Sequence, residues 1–480
     1  MKRILGFILI LVLIVMSVSC TVEKNENNNE NNKQEEKEVI DLDGYQCIIG
    51  QTNTSDEYFL QYKLDSQYDD ILNKRIDDIQ KNYNCQISVN SIGTSADSAS
   101  ILVGKIMAGE SLGEVSLLTD IDVHFSFAEN DGYLDLAEVN DILHYEDEEK
   151  WGSVLVREIG MIGGKQYTLA PYAWPDHVPS TTAAIAVNEN LIQKFGFEDP
   201  REMLENKTWT WDTFTTLLEK YTFQDGENKY YGTCSSAWSQ ILPRMAILSN
   251  GVRITYVDET GKVCTDLNSE LGIQSFEWAF DLKNKYSDCF YGGKVTYGNN
   301  WGDYLVPFIN NECFTTIIHA YAAVGDIANN CDNYALLPFP VGPNGSFDVF
   351  PTNIESATCF GIFESAENHE GAAHVLSALC EPFEEFPTRE SILDNYVRYY
   401  FFDQRDADIF MKLADNPKFS YWPVGGDTFW VNMANAMNSK TAKEAVDTYL
   451  PAYMEIMDKY IAPNEAFIQE QLALKDTENK

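Results

Sequence analysis

From Val39 onward the sequence predicts an α/β protein of two lobes. About 440 residues lie in this part, more than one hydrophobic core serves, which points to two units of roughly 200 residues each. Short apolar runs rich in β-formers alternate along it with segments of helical spacing. Between Gly163 and Leu218 this alternation is sharply punctuated by turn, cap and stop residues.

The chain opens with Lys2 and Arg3, an apolar run from Ile4 to Val18, then Ser19 and Cys20. At about 15 residues the run is short for a membrane span, which takes about 20, and it reads as an export signal over residues 1–20. Residues 21–38 shift to Asn, Glu, Gln and Lys with almost nothing able to enter a core. That is the composition of a disordered tether. Tyr45 to Ile49 is the first expected strand, and Gln51 to Ser55 a polar loop after it. Over residues 68–83 Ile71, Leu72, Ile76 and Ile79 share one helical face, and Gln86 to Asn90 gives a second strand.

In the punctuated stretch, Gly163-Gly164 supplies a turn free to take positive φ, and the extended run Tyr167 to Ala170 is stopped by Pro171. Ala183 to Val187 is another short strand. Asn188 stands where an N-cap is expected, ahead of Leu191, Ile192 and Phe195 at helical spacing. Gly196 ends that helix and Pro200 prevents its continuation. Thr210 or Asp212 caps the next helix, whose buried stripe is Phe214, Leu217 and Leu218.

Taken in order, GGKQYTLAPYAWPDH, AIAVNENLIQKFGFEDP and TWTWDTFTTLL resemble the crossover segment of the extracellular solute-binding proteins of ABC importers. EVSLLTDIDVHFSFAENDGYLDL is similar to that family's third strand with a ligand-facing loop after it, without the usual preceding Pro-Asp. Gly261 to Leu282 resembles its Gly-Lys hairpin and long helix. FINNECFTTIIHAYAAVGDI resembles the strand leading into its cleft, with Glu312 for the usual Gly and Thr315 for the Met. YALLPFPVGPNG, ATCFGIFESAENHEGAAHVLSAL and KTAKEAVDTYLPAYMEIMDKY resemble the return hinge, a strand-turn-helix and the terminal helices. The resemblance implies a two-lobed periplasmic-binding-protein-like (type II) fold with an interlobe ligand cleft and crossing hinge strands. Lobe 1 is then expected to span 39–161 and 339–385, lobe 2 to begin with 162–338, and the helices of 386–480 to belong mainly to lobe 2. The small residues before Cys20 resemble a lipobox, with Ser17 where Leu is usual, which implies a lipidated Cys20 on the extracellular face of the cell membrane. An anchor of two or more acyl chains holds stably.

With 34 basic against 74 acidic residues, nucleic acid is excluded as a partner, because its backbone demands Lys and Arg. Polyanionic glycans are disfavoured on the same ground, and neutral or cationic solutes fit better. Of ten cysteines Cys20 goes to the anchor, and the odd remainder lies mostly in apolar runs such as ECFTTII and ATCFGIF without a Cys-x-x-Cys pair. They read as small buried hydrophobes, neither a disulfide framework nor a metal site.

Sugars present apolar C–H faces and a ring of hydroxyls, so a sugar site needs aromatic platforms beside Asp, Asn or Gln. The chain is 13% aromatic with nine tryptophans, which supplies both. Ligands of open α/β sheets bind at the carboxyl ends of strands. The candidates are therefore Asp120, Asp122 and His124 after the third strand, and Tyr172, Trp174 and Asp176 after the crossover strand. Asp120 and Asp122 alternate on an extended segment, so at most one points into the cleft. Trp301 is a further possible platform. The resemblance adds Tyr321 at the end of TTIIHAY and Trp430 in YWPVGGDTFW, with Trp422 as a second possibility. Trp209 and Trp211 belong to the structural Trp-Thr-Trp-Asp helix start.

No catalytic residue, metal or cofactor is expected. GMIGGKQ lacks the spacing and the Ser or Thr of a phosphate loop, and neither Gly-x-Ser-x-Gly nor His-Glu-x-x-His occurs. The expected function is a non-enzymatic, monomeric lipoprotein that captures a carbohydrate, an oligosaccharide first of all, for an ABC permease. Its membrane contact is the lipid anchor. A lipid-anchored glycoside hydrolase, which needs only two well-placed carboxylates, is the rival reading; a binder of a peptide or polyamine is another.

Overall fold

The computed structural model describes residues 40–52, 68–93, 99–119, 121–174, 180–235, 241–293, 302–331, 333–351, 353–415 and 428–478. Two sheets organise them. The first contains β1 (Tyr45–Thr52), β2 (Cys85–Gly93), β3 (Val115–Leu118), β6 (Thr168–Leu169) and β15 (Cys359–Ile362) in the order β2-β1-β3-β15-β6. β1, β2 and β3 run parallel, and β15 is antiparallel to β3 and β6. Leu72, Ile76 and Ile79 on helix Asp69–Asn82 and Val375, Leu376 and Leu379 on helix His369–Leu379 cover it. The hairpin β4 (Met161–Ile162) and β5 (Lys165–Gln166) turns through Gly163 and Gly164, both at positive φ, as the Gly-Gly pair required.

The second sheet has the order β13-β7-β12-β9-β8, from β7 (Ser180–Asn188), β8 (Phe223–Asp225), β9 (Asn228–Ser235), β12 (Cys313–His319) and β13 (Tyr334–Pro338); β14 (Asn353–Ser356) also pairs with β7. The caps read from the sequence sit in place. The Asn188 side chain accepts from the Leu191 amide at 3.1 Å, Gly196 ends that helix at φ 66°, and Thr210 is the cap of helix Trp211–Lys220. Trp209 and Trp211 are structural. Their indole N–H groups donate to the Pro338 carbonyl at 2.9 Å and to Ser249 Oγ at 3.0 Å, and Trp211 stacks on Trp278 at 4.5 Å. The hairpin β10 (Tyr256–Val257) and β11 (Val263–Cys264) precedes the long helix Glu270–Lys285.

A third apolar cluster joins the two halves. Phe125, Phe127 and Tyr133 from the first pack in it with Trp211, Phe276 and Phe280 from the second, and with Trp430, Tyr453 and Tyr460 of helices Thr428–Ala436 and Ala442–Glu478. Within the last helix, buried Asn464 grips the Gly-Gly hairpin. Its amide donates to the Met161 carbonyl at 2.9 Å and its oxygen accepts from the Gly164 amide at 2.7 Å. Nine cysteines among the described residues are free thiols, eight of them buried and Cys264 partly exposed. No described helix is long and apolar enough to cross a membrane.

Candidate functional site

The chain passes between the sheets from β6 to β7 and again from β14 to β15. Leu169 lies opposite Phe360, and Phe360 opposite Leu117, so the first passage leaves the first sheet where β3 ends. On the second sheet Thr182, near the start of β7, lies opposite His319, the last residue of β12. β14 pairs there as well. The carboxyl ends of the parallel strands in both sheets thus meet at one seam crossed by the chain itself, the place where open α/β sheets take ligands.

Several described groups at the seam are polar. Thr119 Oγ1 lies 3.1 Å from Thr358 Oγ1, joining the end of β3 to the second passage. Helix Arg389–Tyr400 buries Ile392 and Leu393 in the second lobe's core yet reaches back to the first. From it the Asn395 amide donates to Tyr68 Oη at 2.6 Å, and the Arg389 guanidinium donates to the Tyr172 carbonyl at 3.3 Å and lies 4.7 Å over the Tyr172 ring. Tyr68, Arg389 and Asn395 were missed by sequence reasoning. The Thr388 capping signal marks a helix start, but its placement against Tyr68 and Tyr172 is set by tertiary packing.

Of the residues expected to bind, Tyr172 stands at the seam. Asp120, Asp176, Trp301 and Trp422 lie outside the described residues, as do the side chains of Asp122 and Tyr321. Tyr321 belongs to the short helix Ala320–Val324 directly after β12. Asp122 is in the first turn of helix Ile121–Glu129, not on the extended segment expected. Val123, Phe125 and Phe127 alternate like a strand there, but this helix is buried on most sides, and burial of that kind erases the helical period.

Three expected contacts are corrected by burial. Trp174, on the stretch expected to open lobe 2, lies instead in the core of the first sheet, edge-on to Phe360 at 5.4 Å, with its N–H donating to the Leu379 carbonyl at 2.9 Å. Trp430 is fully buried against Phe276, Phe429 and Tyr453. His124 is buried with both ring nitrogens engaged inside the protein, Nδ1 with Tyr133 Oη and Nε2 with the Leu118 carbonyl, each at 3.0 Å.

Burial pushes the His124 imidazole down to about 4, against the opposing pull of the Leu118 hydrogen bond. At the end of β12 burial, helped by the Arg244 guanidinium, pushes His319 down to about 3. Both values fall below the unfolded-state value of about 6.5, so the stability these groups contribute is present above pH 6.5 and is lost as pH falls towards 4. Each accounts for roughly 3 kcal/mol of that loss. Urea unfolding at pH 7 and pH 4 should show the wild type losing several kcal/mol more than the double variant His124→Gln, His319→Gln; equal losses would refute this assignment.

A surface hollow of about 270 Å³ between helix Asp69–Asn82 and the turn Glu381–Glu385 is lined by Arg75, Asp78, Tyr83 and Phe383 among others. Arg75 is occupied there, donating to the Leu379 and Pro382 carbonyls at 3.2 and 2.9 Å and covering the Phe383 ring. The hollow belongs to a helix surface, and among the described residues no strand end lines it. Among the described residues no group of His, Cys, Asp or Glu is placed to hold a metal ion.

No protein-family model matches the chain, and no curated protein does. Solved structures do. The GacH receptor of Streptomyces glaucescens GLA.O, determined unliganded and with acarbose, aligns at a TM-score of 0.60 and 15% identity, covering 87% of this chain and 99% of its own. An ABC substrate-binding protein from Listeria monocytogenes in complex with cycloalternan gives 0.59 and 17%, covering 86% and 99%. The ABC transporter associated binding protein of B. animalis subsp. lactis Bl-04, in complex with β-1,6-galactobiose, gives 0.57 and 16%, covering 86% and 98%. Two sheets with their strand ends at a shared seam, aligned over nearly the full length of these proteins, give this chain the two-lobed α/β fold of ABC-transporter solute-binding proteins.

Proposed function

We propose that the protein is an extracellular solute-binding lipoprotein that captures a carbohydrate at the seam between its lobes and passes it to an ABC permease. The observation that carries this reading is the match in fold, over nearly the full length of each, to ABC binding proteins solved with acarbose, cycloalternan and β-1,6-galactobiose. The seam supports it with what a hydroxyl-rich solute needs: Thr119, Thr358 and Asn395 as polar partners and the Tyr172 ring as a flat face. The formal charge of −40 favours a neutral oligosaccharide over a polyanionic one. Cys20 carries the lipid, residues 21–38 are the tether, and the protein acts as a monomer without catalysing a reaction. Binding biases an open-to-closed hinge equilibrium, and the permease reads the closed shape.

The test is a thermal-shift screen against neutral mono- and oligosaccharides, with peptides, polyamines and uronic-acid oligomers alongside. A solute that binds only the folded state adds about 2.7 kcal/mol of stability at a hundredfold excess over its Kd. A saccharide that raises the melting temperature and is recovered unchanged supports the reading. Turnover of the saccharide favours a glycosidase, and a shift with peptides or polyamines alone removes the carbohydrate.

A further inference from the structure

His124 does not face solvent, yet it closes a chain of hydrogen bonds whose direction chemistry fixes. A carbonyl oxygen only accepts, so His124 Nε2, 3.0 Å from the Leu118 oxygen, carries the ring proton. In the neutral ring Nδ1 then only accepts, and Tyr133 Oη donates to it at 3.0 Å. With its proton spent, Tyr133 Oη accepts from Ser116 Oγ at 2.8 Å, and Ser116 Oγ in turn accepts from the Gly361 amide at 3.1 Å. The imidazole is neutral because burial disfavours its charged form.

The chain runs from β15 through β3 and Tyr133 into helix Ile121–Glu129, and it returns to the last residue of β3. His124, Ser116 and Tyr133 are all buried. A Cβ on Gly361 would come within 2.8 Å of Tyr133 Cε1 and 3.1 Å of Ser116 Oγ, so the strand must pass the ring without a side chain. One residue beyond Leu118, Thr119 contacts Thr358 at the seam.

We propose that His124 is a positioning residue: without touching the solute, it splints the carboxyl end of β3 to the first turns of helix Ile121–Glu129 and fixes the Leu118–Thr119 edge of the seam. Its effect on affinity rests on the reading of the seam as a saccharide site; the splint itself does not. His124→Phe keeps a flat ring and removes both hydrogen bonds. His124→Gln keeps one donor for the Leu118 oxygen and one acceptor for Tyr133. Tyr133→Phe removes the donor to Nδ1 and the acceptor of Ser116 Oγ, and leaves the bond from His124 Nε2 to the Leu118 oxygen in place.

The expected result is that His124→Phe and Tyr133→Phe weaken saccharide affinity about tenfold or more while His124→Gln retains it, each of the two buried hydrogen bonds lost in either Phe variant being worth up to about that factor. In the solute-free full chain, amide exchange near Thr119 and Val123 should quicken in the two Phe variants and stay slow in the Gln variant, with β7 and β12 unchanged. Nitrogen-15 spectra of the wild type at pH 6 should show a single imidazole protonated at Nε2 and bare at Nδ1 for His124. A His124 protonated at Nδ1, or exchange near Thr119 that none of the substitutions alters, overturns the splint. A His124→Phe protein that folds and binds as tightly as the wild type overturns the effect on affinity. If His124→Phe does not fold, Tyr133→Phe carries the same comparison. If the wild type binds no saccharide, the seam reading fails, while the spectra and the exchange data still decide the splint.

Discussion

Replacing Arg201 with Met is expected to lower the stability of the second lobe by about 3–5 kcal/mol, the range for breaking a buried ion pair from one side. The Arg201 side chain is 6% exposed and pairs with Asp406 at 2.8 Å, Asp199 at 2.9 Å and Asp403 at 3.2 Å, and also with Glu189. Burial alone would lower the guanidinium's proton affinity, but Asp406, Asp199 and Glu189 together more than offset it. Asp406 is the member with most to lose. It is buried, it accepts from the Leu336 amide at 2.8 Å, and burial pushes it up to about 6 against the pull of that amide and of Arg201.

Without the guanidinium Asp406 would titrate higher still, and the cost of its charge is felt only where it is ionised. The loss in Arg201→Met is therefore larger at pH 8 than at pH 5, because protonation of Asp406 relieves it. Urea unfolding at the two pH values measures this. A loss below about 1 kcal/mol, the level of an exposed pair, would show that the network is not buried as described.

Trp430→Ala is expected to cost about 3–5 kcal/mol, as for other fully buried Trp truncations. Its ring is covered by Phe429 at 5.1 Å and Phe276 at 6.1 Å, in the cluster that joins the two halves. The sequence-based expectation of a ligand platform makes the opposite forecast: affinity lost and stability kept. Chemical denaturation together with saccharide titration separates the two. A folded Trp430→Ala protein of near wild-type stability that no longer binds would restore Trp430 to the site.

What could be read in advance was local. Asn188, Gly196 and Thr210 act within a few residues of themselves, so caps and turns were legible in the sequence, and so was the Gly163-Gly164 hairpin. Trp174 was misjudged because the prolines around it suggested a loop, and Trp430 because the family resemblance placed an aromatic near the cleft there, whereas their burial depends on Phe360 and Leu379 in one case and on Phe276 and Tyr453 in the other. Arg389 and Asn395 reach Tyr172 and Tyr68 across more than 200 residues of chain, a juxtaposition no local pattern carries. His124 was placed on the right segment with the wrong role: its position after β3 was visible, but its two internal hydrogen bonds depend on Tyr133 and on the path of the backbone at Leu118.

The measurement closest to the central claim is amide hydrogen exchange of the protein with and without the saccharide that gives the largest thermal shift. Binding at the seam predicts slowed exchange at the end of β3 around Thr119, at Ala170–Trp174, after β12 at Ala320–Val324 and in helix Arg389–Tyr400 near Asn395, from both lobes together. Protection confined to the hollow between helix Asp69–Asn82 and Glu381–Glu385, or to one lobe alone, would contradict the account.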